Sequence, residues 1–176
     1  MNRHTMIGLA SVVGLCLVMS LPAGTAVAQQ KQQVSFKAPA ETSKYTQQLN
    51  LDVGDVASHI VRIWELHRTY PSNAPVINGL KLVEDWERGI GDRIDGTGDG
   101  TFFRVFVMEN GDKFFSRQTV TVQSNSGKLN ASIVGYITGG TGKFAGMQGI
   151  IRGSADVDLK TGFNEAVTNI EYSVGR

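Results

Sequence analysis

One cysteine, four prolines and a formal charge of +1 in 176 residues exclude several common devices. Cys16 lies in the apolar N-terminal run, so no disulfide framework, thiolate nucleophile or cysteine-based metal site is expected of the folded chain. With 17 basic against 16 acidic residues, the basic surplus of a nucleic-acid-binding face is missing. Beyond the first thirty residues no apolar run approaches the roughly 20 residues a membrane helix needs. What remains is ordinary globular material, 41% hydrophobic and 19% charged, in a length that suits one domain.

Residues 1–28 have the three-part layout of a secretory signal. Arg3 and His4 precede the apolar stretch Ile7–Met19, Pro22 interrupts it, and Ala26-Val27-Ala28 offers small residues for cleavage before Gln29. The expectation is a secreted or periplasmic protein, with basic and acidic residues equal in number once Arg3 is removed. Residues 29–55, rich in Gln, Lys, Ser and Thr, read as a flexible leader. Residues 56–176 form the folded domain.

Within that domain the pattern is period-two alternation interrupted by turn residues. His59–Tyr70 is strand-like, Tyr70–Gly79 is a loop carrying Pro71 and Pro75, and Leu80–Arg88 suits a strand or a short helix. Gly89–Gly100, GIGDRIDGTGDG, reads as a glycine- and aspartate-rich loop. Thr101–Glu109 and Lys113–Gln123 flank Asn110-Gly111, a strong hairpin signal. Leu129–Thr138, Met147–Asp158 and Phe163–Val174 follow, separated by short turns. Such a meander manages its edges by closing on itself, so the expected fold is all-β: an antiparallel up-and-down β-barrel of about eight strands.

Few motifs carry chemistry. Gly139-Gly140-Thr141-Gly142-Lys143 lacks the first glycine and the Ser or Thr of a phosphate loop. Asp95, Thr97 and Asp99 alternate as calcium ligands do, but Phe106 stands where the closing Glu belongs. His59 and His67, eight apart on one strand face, cannot clamp one ion unaided. No metal and no cofactor is expected. Glu65 and His67 are the pair with catalytic potential. On a strand they share a wall with Val61 and Ile63, where a carboxylate among aliphatic groups would be desolvated and suited to acid–base work. The opposite face carries Ile60, Arg62, Trp64 and Leu66. Periodicity alone leaves open which face is the interior.

Ile137-Thr138-Gly139-Gly140-Thr141-Gly142-Lys143-Phe144-Ala145-Gly146, with Gln148-Gly149 and the closing Asp158–Gly162 and Ile170–Val174 stretches, resembles the C-terminal half of plant dirigent proteins. The same block is similar to a glycine-rich segment of allene oxide cyclases. The strand Trp64-Glu65-Leu66-His67-Arg68, running on to Pro71-Ser72, resembles the first barrel strand of those cyclases. The resemblance implies a barrel, a homotrimer, and a pocket in which Glu65 and His67 act while Val61, Ile63, Pro71 and Ser72 hold substrate. His67 stands where the cyclases have Asn. The function it implies is cofactor-free cyclisation or isomerisation of a small hydrophobic molecule. The alternatives are a lipocalin-like carrier without chemistry, or dirigent-like stereocontrol of a coupling performed by another enzyme.

Overall fold

Alternating side chains govern nearly all of residues 30–175, the part described by the computed structural model, and there they build ten strands and no α-helix. The strands are β1 Gln32–Ala38, β2 Ser43–Asp52, β3 His59–Thr69, β4 Val76–Ile77, β5 Leu80–Ile94, β6 Thr97–Met108, β7 Lys113–Asn125, β8 Lys128–Gly140, β9 Met147–Asp158 and β10 Phe163–Val174. They form one antiparallel sheet in the order β1-β10-β9-β8-β7-β6-β5-β3-β2, with β4 paired to β5. The sheet curls until the Asn164 amide on β10 donates to the Tyr45 hydroxyl on β2 at 2.9 Å. No ladder joins β1 to β2, so the up-and-down barrel keeps an open seam.

The strand count exceeds eight because the segment expected as a leader is paired. β1 lies along β10 from Gln32↔Tyr172 to Ala38↔Ala166, and β2 runs beside β3 with a bulge between Tyr45 and Gln47. These are the two edge strands. Phe36, Ala38 and Ser43 are buried while most of their neighbours face water, which is why the segment looks polar and aperiodic in sequence. The signal-like residues 1–28, with Cys16 and the expected cleavage point, lie outside the described residues.

The expected loop Gly89–Gly100 is a second correction. β5 and β6 run through it, and only Asp95 (φ +51°) and Gly96 (φ +80°) turn, with the paired left-handed conformations of a tight hairpin. Its other glycines serve packing: a Cβ on Gly89 would stand 2.4 Å from the Trp64 ring. Asn110-Gly111 does mark a hairpin, but with three residues in the loop. Gly111 N–H donates to Met108 O and Met108 N–H donates to Asp112 O, so only Gly111 needs positive φ.

The two ends of the barrel differ. At the end bearing the β6–β7 and β8–β9 turns, Ile77, Leu82, Met108, Phe114, Phe144 and Met147 are fully buried and plug the interior. Phe114 stacks on Phe106 at 4.1 Å and meets Phe144 at 5.5 Å. The other end, at the β2–β3, β5–β6, β7–β8 and β9–β10 turns, holds a cavity.

Candidate functional site

Strand β3 decides what the interior contains. Arg62, Trp64, Leu66 and Arg68 are buried, whereas Ile63 is exposed and Val61, Glu65 and His67 lie on the outer wall, half covered. The wall expected to line a pocket is therefore the outside of the barrel. The reason is volume and pairing. Gly89, opposite Trp64 in the β3–β5 register, leaves room for the indole, and no such relief exists on the other face. Outside, the Glu65 carboxylate accepts hydrogen bonds from the Thr46 hydroxyl and Arg88 Nε, both at 2.6 Å. The Thr46 bond and the Arg88 charge hold the carboxyl below its usual range. His67 stacks on Trp86 at 3.9 Å and hydrogen-bonds Glu84 through Nε2 at 2.7 Å. Pro71 and Ser72 are exposed in the loop at the plugged end, beside a surface groove shared with Val34 and Thr69. The structure thus keeps Glu65 and His67 on one wall and places Pro71 and Ser72 elsewhere.

Across the middle of the barrel runs a buried charged layer that the sequence did not announce. Asp85, wholly buried, accepts two hydrogen bonds from Arg104, Nε at 2.8 Å and Nη2 at 2.7 Å, and one from the Tyr70 hydroxyl at 2.6 Å. Arg68 donates to Glu87 at 2.9 Å and to the Asn164 carbonyl at 3.1 Å, and Trp64 Nε1 donates to Glu87 at 2.9 Å. Burial alone would raise the Asp85 pKa, but the Arg104 charge and hydrogen bonds outweigh it and hold the carboxyl below its usual range. The Tyr70 hydroxyl is pushed far up by burial and by the Asp85 charge. These carboxylates are locked by arginines and act as acceptors, not as free bases.

Between this layer and the open end lies a cavity of about 90 Å³, bordered by Trp64, Val120, Val122, Ala131, Ala155 and Leu159. It is apolar except at one corner. There the Tyr45 hydroxyl, which accepts from Asn164, keeps its own proton to donate, and burial pushes its pKa up. The Arg62 guanidinium sits 5.2 Å from the centre of the Tyr45 ring and donates to Gln48 Oε1, and Arg93 lies close by. Leu129 and Val157 border both this cavity and a 520 Å³ groove over the β7–β8 and β9–β10 turns. An interior of this kind can hold a compact apolar body and offer hydrogen-bond donors to an oxygen-bearing group at one corner.

Sequence reasoning missed Tyr45, Arg62, Trp64 and Arg93 as site residues. Two signals were available: an arginine between Ile60 and Trp64 on one strand face, and the alternate glycines at 89, 91, 98 and 100, which leave space inside a barrel.

No family model matches the chain, and no curated protein matches it. Among solved structures, a pyocyanin demethylase is similar, with a TM-score of 0.41 and 13% identity over 78% of this chain and 99% of that chain. A likeness that distant carries no argument about chemistry.

Proposed function

We propose that this protein is exported and binds a small, largely apolar molecule in the open end of its barrel. The observation that carries the reading is the asymmetry of the interior: one end plugged by aromatic and aliphatic side chains, the other holding an apolar cavity with a single polar corner. The signal-like residues 1–28 supply the export part of the reading. A second reading rests on Tyr45. A phenol pinned by Asn164 beside a guanidinium can donate to a ligand oxygen as negative charge grows there, which is what a cofactor-free isomerisation or cyclisation requires. That reading keeps the cyclase-like function but moves its key group from the Glu65 carboxylate on β3 to the Tyr45 hydroxyl on β2. The trimer that the resemblance implies would draw on outer-wall residues such as Ile63, Ile90 and Phe103, since Trp64 and Leu66 are interior.

The test is occupancy. Ala131 and Ala155 face one another across the β8–β9 register and border the cavity. Ala131→Phe fills the space those methyl groups leave. Organic extraction of the purified protein, followed by mass spectrometry, should release a small molecule from wild type and none from a folded Ala131→Phe variant. Release of the same molecule in equal yield from both would overturn the reading.

A further inference from the structure

The polar corner is unusual in its charge. Arg62 and Arg93 are each only 7% exposed, yet among the described residues neither has a carboxylate within 4 Å. Every other buried arginine in the barrel is paired: Arg68 with Glu87, Arg104 with Asp85. Arg62 gives one hydrogen bond, to Gln48 Oε1, and Arg93 uses Nη1 alone, on the main-chain carbonyls of Asp92 and Asp99. The remaining guanidinium N–H groups of both have no acceptor among the described residues.

The nearby acids do not supply one. Asp92 and Asp99 are paired across β5 and β6 with exposed side chains, and the Asp92 carboxylate is hydrogen-bonded to His59 Nε2 at 2.8 Å. Glu87 is taken by Trp64 and Arg68. The β3–β5 register pairs Arg62 with Gly91 and Ile60 with Arg93, so the two arginines project inward from adjacent strands. Gly91 has no side chain to separate them, and a Cβ there would lie 3.1 Å from Arg93 Nη1. The orphaned buried side-chain atoms among the described residues are Arg68 Nε and Gln118 Oε1, and none belongs to Arg62 or Arg93, so the free donors of this like-charged pair stay accessible at the open end. Desolvation lowers both pKa values, and for Arg93 the neighbouring Arg62 charge adds to it.

We propose that Arg62 and Arg93 are the anchor for the head of an apolar carboxylic acid, whose hydrocarbon body fills the cavity beneath. The proposal rests on the binding function above and narrows its ligand class. A guanidinium presents paired donors in one plane, which match the two oxygens of a carboxylate. Both arginines border the same apolar cavity as Trp64, Val120 and Ala155, so head and body sites are contiguous. The free donors of the corner, with the Tyr45 hydroxyl, give each carboxylate oxygen a partner.

The experiment is isothermal titration of the purified protein, stripped of bound lipid, with straight-chain acids from hexanoate to dodecanoate and the primary alcohols of matched length. At neutral pH the best acid should bind about 10- to 100-fold more tightly than its alcohol, the range charge-assisted hydrogen bonds reach. Arg62→Gln and Arg93→Gln should each erase most of that preference, leave alcohol affinity near wild type, and hold or raise the melting temperature. Arg62→Lys keeps the charge and should retain part of the preference. Equal affinity for acid and alcohol would overturn the anchor while leaving the binding function standing. Failure to bind any member of either series would overturn the binding function itself. A fall in melting temperature in both Gln variants, with the acid preference intact, would assign the arginines to the fold instead.

Discussion

Replacing Asp85 by Asn tests whether the buried charged layer holds the barrel together. The carboxylate is wholly buried and accepts four polar contacts: two from Arg104, one from the Tyr70 hydroxyl, and Arg68 Nη1 at 3.5 Å. Asparagine keeps the shape but removes the charge and turns an N–H₂ group toward groups that are themselves donors. Arg104 is then left with Thr168 Oγ1 at 3.1 Å, the Tyr70 hydroxyl at 3.3 Å and at most one amide oxygen, and no carboxylate partner. Breaking one side of a buried pair costs about 3–5 kcal/mol, because the surviving charge stays buried. For a chain of this size that is a fall in melting temperature of roughly 6–20 °C. The assay is urea unfolding followed by circular dichroism at pH 7, with Asp85→Leu/Arg104→Met as the companion. The double variant removes both charges and should be more stable than Asp85→Asn. The sign with pH follows from the lowered Asp85 pKa: its contribution is present above the ordinary value of 3.8 and is lost as pH falls through the lower folded value. An Asp85→Asn protein within about 1 kcal/mol of wild type would refute this account of the layer.

The other tests are simpler. Gly89→Ala places a methyl group 2.4 Å from the Trp64 ring and 2.7 Å from Phe102 Cβ, so it should lose about 1–3 kcal/mol in urea unfolding; wild-type stability would mean Trp64 has room to move. Glu65→Gln alters an outer-wall carboxylate bound to Thr46 and Arg88, and ligand affinity should match wild type; a large loss of affinity or turnover would return the chemistry to that wall. His59 bridges Asp55 and Asp92, whose hydrogen bonds raise its pKa above 6.5. Its contribution should be full below pH 6.5 and fade as pH rises through the raised value, and His59→Gln should flatten that part of the stability–pH curve.

The alternation of β3 and of everything from Thr101 to Val174 was legible, because each long strand buries one face and repeats every second residue. Met147–Asp158 and Phe163–Val174 have the ends expected from sequence. The edge strands were not legible. An edge strand with most of its side chains in water, such as Gln47–Asp52, has the composition of a tail, and only its partner β3 shows it to be a strand. The glycine-rich stretch was misread for the opposite reason. Glycine at 89, 91, 98 and 100 signals a turn when its conformational freedom is considered alone, yet these positions are empty because Trp64, Arg93 and the neighbouring main chain occupy the space a side chain would need.

The site was misplaced by a single question of parity. Both faces of β3 mix aliphatic, aromatic and charged residues, so hydrophobicity does not choose between them. The choice follows from long-range complements: Asp85 and Glu87 on β5 and Arg104 on β6 alternate on the same inward face as Arg62, Trp64, Leu66 and Arg68. A barrel interior with two acids on β5, paired by Arg68 and Arg104, neutralises only two arginines, and β3 with β5 supplies two more. The expectation of an aliphatic pocket around one carboxylate therefore inverts. The carboxylates inside are consumed in structure, and the unspent charge at the open end is positive. An acid–base role for a carboxylate needs one that is free, and Asp85 and Glu87 are both held by arginines, so any proton donor at the open end is the Tyr45 hydroxyl rather than an acid.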